Sequence, residues 1–509
     1  MMKKIISFIL ALLILILSTG ALYGCVDALQ HNCEKDGHSD IDSDDYCDGC
    51  GRYLIVEIDF YAINDLHGKF CNTDRQNGVY TLASYLKMQQ QTNDNVVILS
   101  SGDMWQGTAE SNLSRGHIVT EWMNEIGVAS MTLGNHDFDW GEDAIRSNLE
   151  IAEFPFLALN IYDVDTGELP EYCTPSVIVE CDGVQVGIIG AIGDCYSSIS
   201  SDMVEGVRFK VGDQLTALVK AESEKLRAEG ADVIVYSLHD GYGNSKSGVS
   251  NISSSAISGY YDSVLSKGYV DLVFEAHTHQ YYSLVDADGV YHLQGGGENT
   301  GISYVELAVN SANGNCRVTD AQYIEHSEYR NIHDDDATMA IEDKYSEIID
   351  AAFEPIGTVS KYYDDSELED EVAELYLEVG IEKWGEDYGI VLGGGFLRTR
   401  KPYNLTSGVK NYADVLSLLP FDNRLVLCSV SGYNLKKKFI ESNSSDYHIE
   451  LSEYGALVEN DIDYYATYYI VVDTYTAYYA PNGLTIIDFY DDSTYARDLV
   501  AEAIRNGDL

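Results

Sequence analysis

Basic side chains are scarce in this chain: 31 lysines and arginines face 83 aspartates and glutamates, for a net charge of −52. So acidic a surface repels anionic polymers and anionic membranes, which excludes polymeric DNA or RNA as a partner. A small anion can still bind where metals and a few arginines reverse the local field. The apolar run from Ile5 to Leu17 is too short for a spanning helix, which needs roughly 20 residues. No fixed-period repeat is present, so a solenoid is not indicated. Histidine is also sparse, at twelve residues, so a cluster of histidines carries weight.

The amino terminus is informative. Lys3 and Lys4 precede the apolar run, small residues follow, and Cys25 closes the segment, which is the layout of a secretory signal over residues 1–24. LYGC resembles a lipoprotein box with Cys25 as the lipid-bearing residue, although Tyr23 is an unusual neighbour for the cut. Ordinary secretion and a retained membrane helix are the alternatives. Each version places the body outside the cytoplasm, and lipid anchoring would be its only membrane attachment. Ten cysteines leave nine after Cys25, an odd number; Cys173 and Cys181 could close a small loop or remain buried thiols.

A chain of 509 residues exceeds a single core, so two large domains plus minor segments are expected. Residues 25–53 carry Cys33, His38, Cys47 and Cys50 together with the alternating Asp40, Asp42 and Asp44. Three readings are open: a module holding an extra zinc or calcium ion, a disulfide knot, or an acidic tether. Residues 54–325 alternate apolar strands with amphipathic segments such as YTLASYLKMQQ, a βαβ rhythm. Residues 326–355 look like an acidic linker and a helix ended by Pro355 and Gly357. Residues 356–509 form a second α/β domain that ends in tyrosine-rich strands, DYYATYYIVVDTYTAYY.

Five polar clusters occur in order: Asp65 and His67 in NDLHG, Asp103 in SSGD, Asn135 and His136 in GNHD, His239 in SLHDG, and His277 with His279 in AHTH. Four of them follow runs that read as buried strands (LIVEIDFYAI, VVIL, VIVY, DLVF), and side chains just past strand ends converge at one sheet edge. Any one cluster alone is more often a solvated loop; five in order describe a two-metal site. Asp103 is the best bridging carboxylate. Asp65, His67 and His279 would complete one ion and Asn135, His239 and His277 the other, with room for a water between them. Imidazole with carboxylate suits zinc, manganese or iron better than calcium. His136 would stand beside the reacting phosphate with Asp139 holding its ring; Asp137 is the alternative partner, and Asp139 could be only a turn residue.

These motifs make residues 54–509 similar to the bacterial 5'-nucleotidase family of metallophosphoesterases. The resemblance implies a four-layer metallophosphoesterase sandwich of mixed sheets flanked by helices, plus a smaller α/β domain that rotates on the linker to bring substrate to the metals. It implies the ligand assignments above and the pairing of His136 with Asp139. GGGFLR is similar to the family's glycine-rich arginine motif, which implies Arg398 on phosphate or carboxylate; PFDN is similar to PFGN, which implies Phe421 at a nucleobase. Tyr475 falls where the second stacking aromatic belongs. Departures concentrate there: DTYTAYYAPNGL lacks the glycine-aspartate loop that would hold ribose, Leu397 shifts the arginine spacing, and Ala276 replaces a glycine. The expected function is release of phosphate from nucleotides or similar small phosphates. A 2',3'-cyclic phosphodiesterase with 3'-nucleotidase activity and a non-catalytic, metal-containing surface binding module are the alternatives.

Overall fold

The computed structural model describes residues 33, 37–73, 77–241, 268–286, 288–390, 392–395, 404–441, 448–451, 462–478, 483–491 and 493–509. Cys25 and Arg398 lie outside them. The first domain contains β1 (Ile55–Ile63), β2 (Val96–Ser100), β3 (Val128–Thr132), β4 (Phe156–Leu157), β5 (Ile161–Asp163), β6 (Ser176–Cys181) and β7 (Val184–Ile192). It continues with β8 (Val207–Phe209), β9 (Val233–His239), β10 (Leu272–Glu275), β11 (Tyr281–Val285), β12 (Tyr291–Gly295), β13 (Gly301–Asn310) and β14 (Cys316–Glu325). Two six-stranded mixed sheets result, in the orders β14-β13-β1-β2-β3-β4 and β11-β12-β10-β9-β7-β6.

The two sheets stack because their strands alternate. In β1, Ile58, Phe60 and Ala62 join a core shared with Val186, Ile188, Val235 and Phe274 of the other sheet, while Tyr61 and Ile63 face the opposite way into a second core. Period-2 side chains on a strand buried on both faces give near-continuous apolar sequence. Helices Tyr80–Thr92 and His117–Glu125 contribute Leu82, Leu86 and Trp122 to the outer core of the first sheet. Helix Asp213–Ala228 covers the outer face of the second with Leu215, Val219 and Leu226. The layers are thus helix, sheet, sheet, helix. Parallel neighbours β1, β2 and β3 end side by side, as do β7, β9 and β10, so loops after these strands open on one edge.

The linker region is more than a tether. Asp335 caps helix Asp336–Phe353 by accepting the Thr338 amide, and Ile349 is buried in a first-domain core. Ala352 packs with Ala109, Ala413 and Leu416. The helix stops at Phe353, and Pro355 opens β15 (Pro355–Val359), since proline cannot extend a helix already carrying its hydrogen bonds. The second domain adds β16 (Leu392–Gly395), β17 (Gly408–Asn411), β18 (Leu425–Ser431), β19 (His448–Leu451), β20 (Thr467–Asp473) and β21 (Leu484–Phe489). Five of these form one sheet in the order β19-β16-β20-β18-β21, packed under helix Asp365–Tyr388. Gly380 is the point of closest approach, where a Cβ would come within 2.4 Å of Val471.

One local expectation is corrected and one open choice is decided. The tyrosine-rich segment is strand only over Thr467–Asp473; Thr474–Tyr478, including Tyr475, is a short helix. Asp473 turns the chain by accepting the Thr476 amide at 2.8 Å, a local cap that competes with strand extension. Cys173 and Cys181 are both free. Most of the chain between them is the extended β6, whose rise of about 3.3 Å per residue carries the two sulfurs well beyond bridging distance. Among the described residues, no helix is long and apolar enough to cross a membrane.

Candidate metal centre

All five clusters reach one edge. Asp65 and His67 follow β1, Asp103 follows β2, Asn135 and His136 follow β3, His239 ends β9, and His277 and His279 follow β10. The cluster after β3 had no clear apolar run before it, because VASMT mixes small and polar residues, yet it is a buried parallel strand. Asp65, His67, Asp103, His277 and His279 all have φ between 49 and 68°. Five non-glycine residues in the left-handed region are costly, and such strain persists where the surroundings enforce it. Gly134 serves the same convergence: a Cβ there would lie 2.3 Å from Asp103 Oδ1 and 2.6 Å from the His239 ring.

The ring tautomers are set from behind. His67 Nδ1 lies 3.0 Å from the Gln106 carbonyl and His239 Nδ1 lies 2.7 Å from the Ser101 carbonyl. A carbonyl only accepts, so each Nδ1 donates and each Nε2 turns a lone pair inward. His67 Nε2 then faces His279 Nε2 at 3.1 Å, and His279 Nε2 stands 3.4 Å from Asp65 Oδ1. His239 Nε2 faces Asp103 Oδ2 at 3.2 Å and Asn135 Oδ1 at 3.1 Å, and His277 Nδ1 is 3.0 Å from the same Asn135 oxygen. Ligand atoms brought this close to one another suit a cation between them. Against burial, Asp103 and Asp65 push His239 up to about 10, while burial and a charged His239 push His277 down to about 4. Asn135 turns its oxygen inward and leaves Nδ2 buried without a partner, the orientation of a ligand oxygen. This buried set of carboxylates, imidazoles and one amide oxygen fits two divalent ions.

His136 stands apart from the ligands. Its amide donates to Asp103 Oδ1 at 2.7 Å, and its Nδ1 pairs with Asp139 Oδ2 at 2.7 Å. Asp137 has a different task. Its carboxylate accepts the amides of Asp103, Met104 and Gly134 at 2.8–3.0 Å, tying two ligand loops together. Those amides favour the anion, whereas burial and Asp103 push Asp137 up to about 7.

Other contributors carry weaker sequence signals. Cys195 Sγ donates to the His239 carbonyl at 3.0 Å and lies in reach of His239 and His277. It follows β7, the neighbour of β9, in AIGDC, a strand-end cluster with no histidine to mark it. On the second domain, the Pro420 carbonyl accepts Gln106 Nε2 at 3.1 Å and Asn112 Nδ2 at 2.9 Å. Asp422 joins Arg115 of the first domain to Arg497 of the second. Phe421 stacks on His136, with ring centroids 5.8 Å apart. A cleft of about 720 Å³ beside this contact is lined by Asp139, Trp140, Asp422, Arg424, Thr474 and Tyr478. Tyr475 lies on the short helix between two of these residues.

Below the AHTH loop, His292 is fully buried between Glu275 at 2.9 Å and Asp286 at 3.5 Å, and Gln294 Nε2 donates to the Ala276 carbonyl at 2.9 Å. Burial lowers the His292 pKa, but its two carboxylates prevail and raise it to about 9. A raised folded pKa gives stability that is present in full below the unfolded value of about 6.5 and is lost as pH rises through about 9. Urea unfolding between pH 6 and 10 should therefore show a loss that His292→Gln lacks. Breaking this buried pair should itself cost about 3–5 kcal/mol.

Residues 58–281 match the calcineurin-like phosphoesterase family, and the first domain is a calcineurin-like phosphoesterase domain. The homologues extend the likeness to 5'-nucleotidases. The 5'-nucleotidase of Vibrio cholerae is 30% identical over 226 residues, covering 43% of this chain and 39% of that protein. The chain thus spans well under half of that relative's length. Protein UshA of Yersinia enterocolitica is 24% identical over 427 residues, 75% of each chain. The structure of the 5'-nucleotidase precursor from Thermus thermophilus superposes with a TM-score of 0.65 at 17% identity, covering 89% of this chain and 96% of that one. It has the same fold.

Proposed function

We propose that this chain is an extracellular two-metal phosphohydrolase that releases phosphate from nucleotides. The observation that carries the reading is the inward convergence of seven ligand side chains, Asp65, His67, Asp103, Asn135, His239, His277 and His279, whose lone pairs face one another. Bound there, two divalent ions, zinc or manganese with iron also suited, would activate water and neutralise phosphoryl charge. Asp103 bridges the two ligand sets. His136, its Nδ1 held by Asp139, keeps Nε2 for the phosphoryl oxygen or the leaving alkoxide, where it stabilises charge and delivers a proton.

Substrate is positioned from the second domain by Arg398, Phe421 and Tyr475. The contact of Phe421 with His136 supports a role at the junction of leaving group and metal centre. Cys25 anchors the chain to the outer face of the membrane as a lipoprotein, or the chain is secreted. A second reading is a 2',3'-cyclic phosphodiesterase with 3'-nucleotidase activity, which the same ligand set could perform. One screen tests both: phosphate release by the metal-loaded protein from nucleoside monophosphates, cyclic nucleotides and an aryl phosphate. Release from none of these with both ions bound would reject the hydrolase and favour a binding module.

Tyr475→Ala should raise KM for nucleotides about tenfold, the worth of one base-stacking contact, and leave aryl phosphate hydrolysis unchanged. Equal effects on both substrates would rule out base stacking by Tyr475.

A further inference from the structure

The amino-terminal segment holds a group that the phosphoesterase chemistry does not use. Cys33 Sγ lies 3.5 Å from Cys47 Sγ, His38 Nδ1 lies 3.3 Å from Cys47 Sγ, and His38 Nδ1 lies 3.5 Å from Cys50 Sγ. All four ligand atoms lie within 4.8 Å of one another. A disulfide would bring two sulfurs to about 2.05 Å, and these cysteines are free. Zinc bonds of about 2.3 Å to sulfur and about 2.05 Å to nitrogen give tetrahedral edges of about 3.8 and about 3.6 Å, within a few tenths of an ångström of the spacings found.

The surrounding chain is shaped for the same end. The Cys47 carbonyl accepts the Gly51 amide at 2.8 Å and the Cys47 amide donates to the Arg52 carbonyl at 2.8 Å, so CDGCG closes a tight turn that points both sulfurs one way. Gly51, at φ +71°, completes that turn in a conformation glycine adopts without cost. Among its described residues the module has almost no apolar core: Cys47 is 2% exposed, but Ile41 is 84% exposed and Tyr46 and Tyr53 are about half exposed. A segment of this size without a core needs a crosslink or a metal to be ordered. It is joined to the first domain by Asn310, which donates to Asp40 at 2.7 Å, and by Arg317, 3.4 Å from Asp45.

We infer that Cys33, His38, Cys47 and Cys50 bind one structural zinc ion, separate from the phosphoesterase centre, that holds the amino-terminal module in its folded form. Three thiolates and one imidazole close a tetrahedral shell with no position for substrate, so the site is structural. Soft sulfur ligands select zinc over calcium or magnesium. The neighbouring Asp40, Asp42 and Asp44 carry no calcium proposal, since Asp40 already accepts the amides of Asp44 and Asp45 and the Asn310 side chain. This inference is independent of the phosphohydrolase reading, because no residue of the cluster belongs to that site.

The test is metal analysis of the full chain against Cys47→Ser/Cys50→Ser. The wild type should hold one zinc equivalent more than the double variant, with equal hydrolysis of an aryl phosphate. Equal zinc content in the two proteins, or a non-reduced peptide map joining Cys33, Cys47 or Cys50 in a disulfide, would overturn the proposal. Should the double variant fail to fold, cobalt loading of the unaltered protein decides. A thiolate-to-cobalt charge-transfer band of three-thiolate intensity, retained in Cys195→Ser, supports the site. A band absent from the wild type, or lost in Cys195→Ser, refutes it.

Discussion

Replacing His136 by alanine should lower kcat about a thousandfold while both metal ions stay bound, within the range for a lost general acid or charge stabiliser. Its ring supplies no ligand atom; it acts on Asp103 only through charge, beside the backbone amide that donates to it, so metal content should match the wild type. Asp139→Asn should give a smaller fall of the same kind, because the ring loses the negative charge of its 2.7 Å partner but remains present. Turnover on an aryl phosphate, beside metal analysis of the same samples, checks this. Unchanged kcat in His136→Ala would remove the catalytic assignment.

Asp103→Ala should abolish activity and metal binding at this centre. Burial alone would raise the pKa of Asp103, yet His239, His136 and His67 hold it well below the usual carboxylate range, so it is an anion facing both ligand sets. Without it His239 loses its nearest carboxylate, and two ions held here would lose the charge shared between them. Metal binding only to the folded state stabilises it, by about 2.7 kcal/mol at a ligand concentration a hundred times Kd. Addition of manganese, which the amino-terminal thiolates do not select, should therefore raise the Tm of the wild type and leave that of Asp103→Ala in place. A variant that keeps two ions would show that Asp103 does not bridge.

Much of this centre was legible because each ligand cluster lies immediately after a strand, and parallel strands buried on both faces leave near-continuous apolar runs. Tyr475 was misread as strand because a tyrosine-rich run suits either state, and the choice rested on Asp473 capping a turn. Cys195 went unnoticed because a cysteine after an apolar run is ordinarily a small core residue. The tie of Arg115 and Arg497 to Asp422 joins residues more than 70 positions apart, and nothing in local spacing marks it.

By itself, the sequence determined the acidic exterior, the two α/β domains, the five clusters and the residue types able to hold metal. These follow from composition and from the periodicity of side chains along a strand, both local properties. Only the tertiary structure decided which ring nitrogen turns inward, since the carbonyls of Gln106 and Ser101 that set it come from other loops. It also separated Asp137, a brace for backbone amides, from Asp139, the partner of His136. Two neighbouring aspartates differ in role here because the fold surrounds one with amide donors and the other with an imidazole.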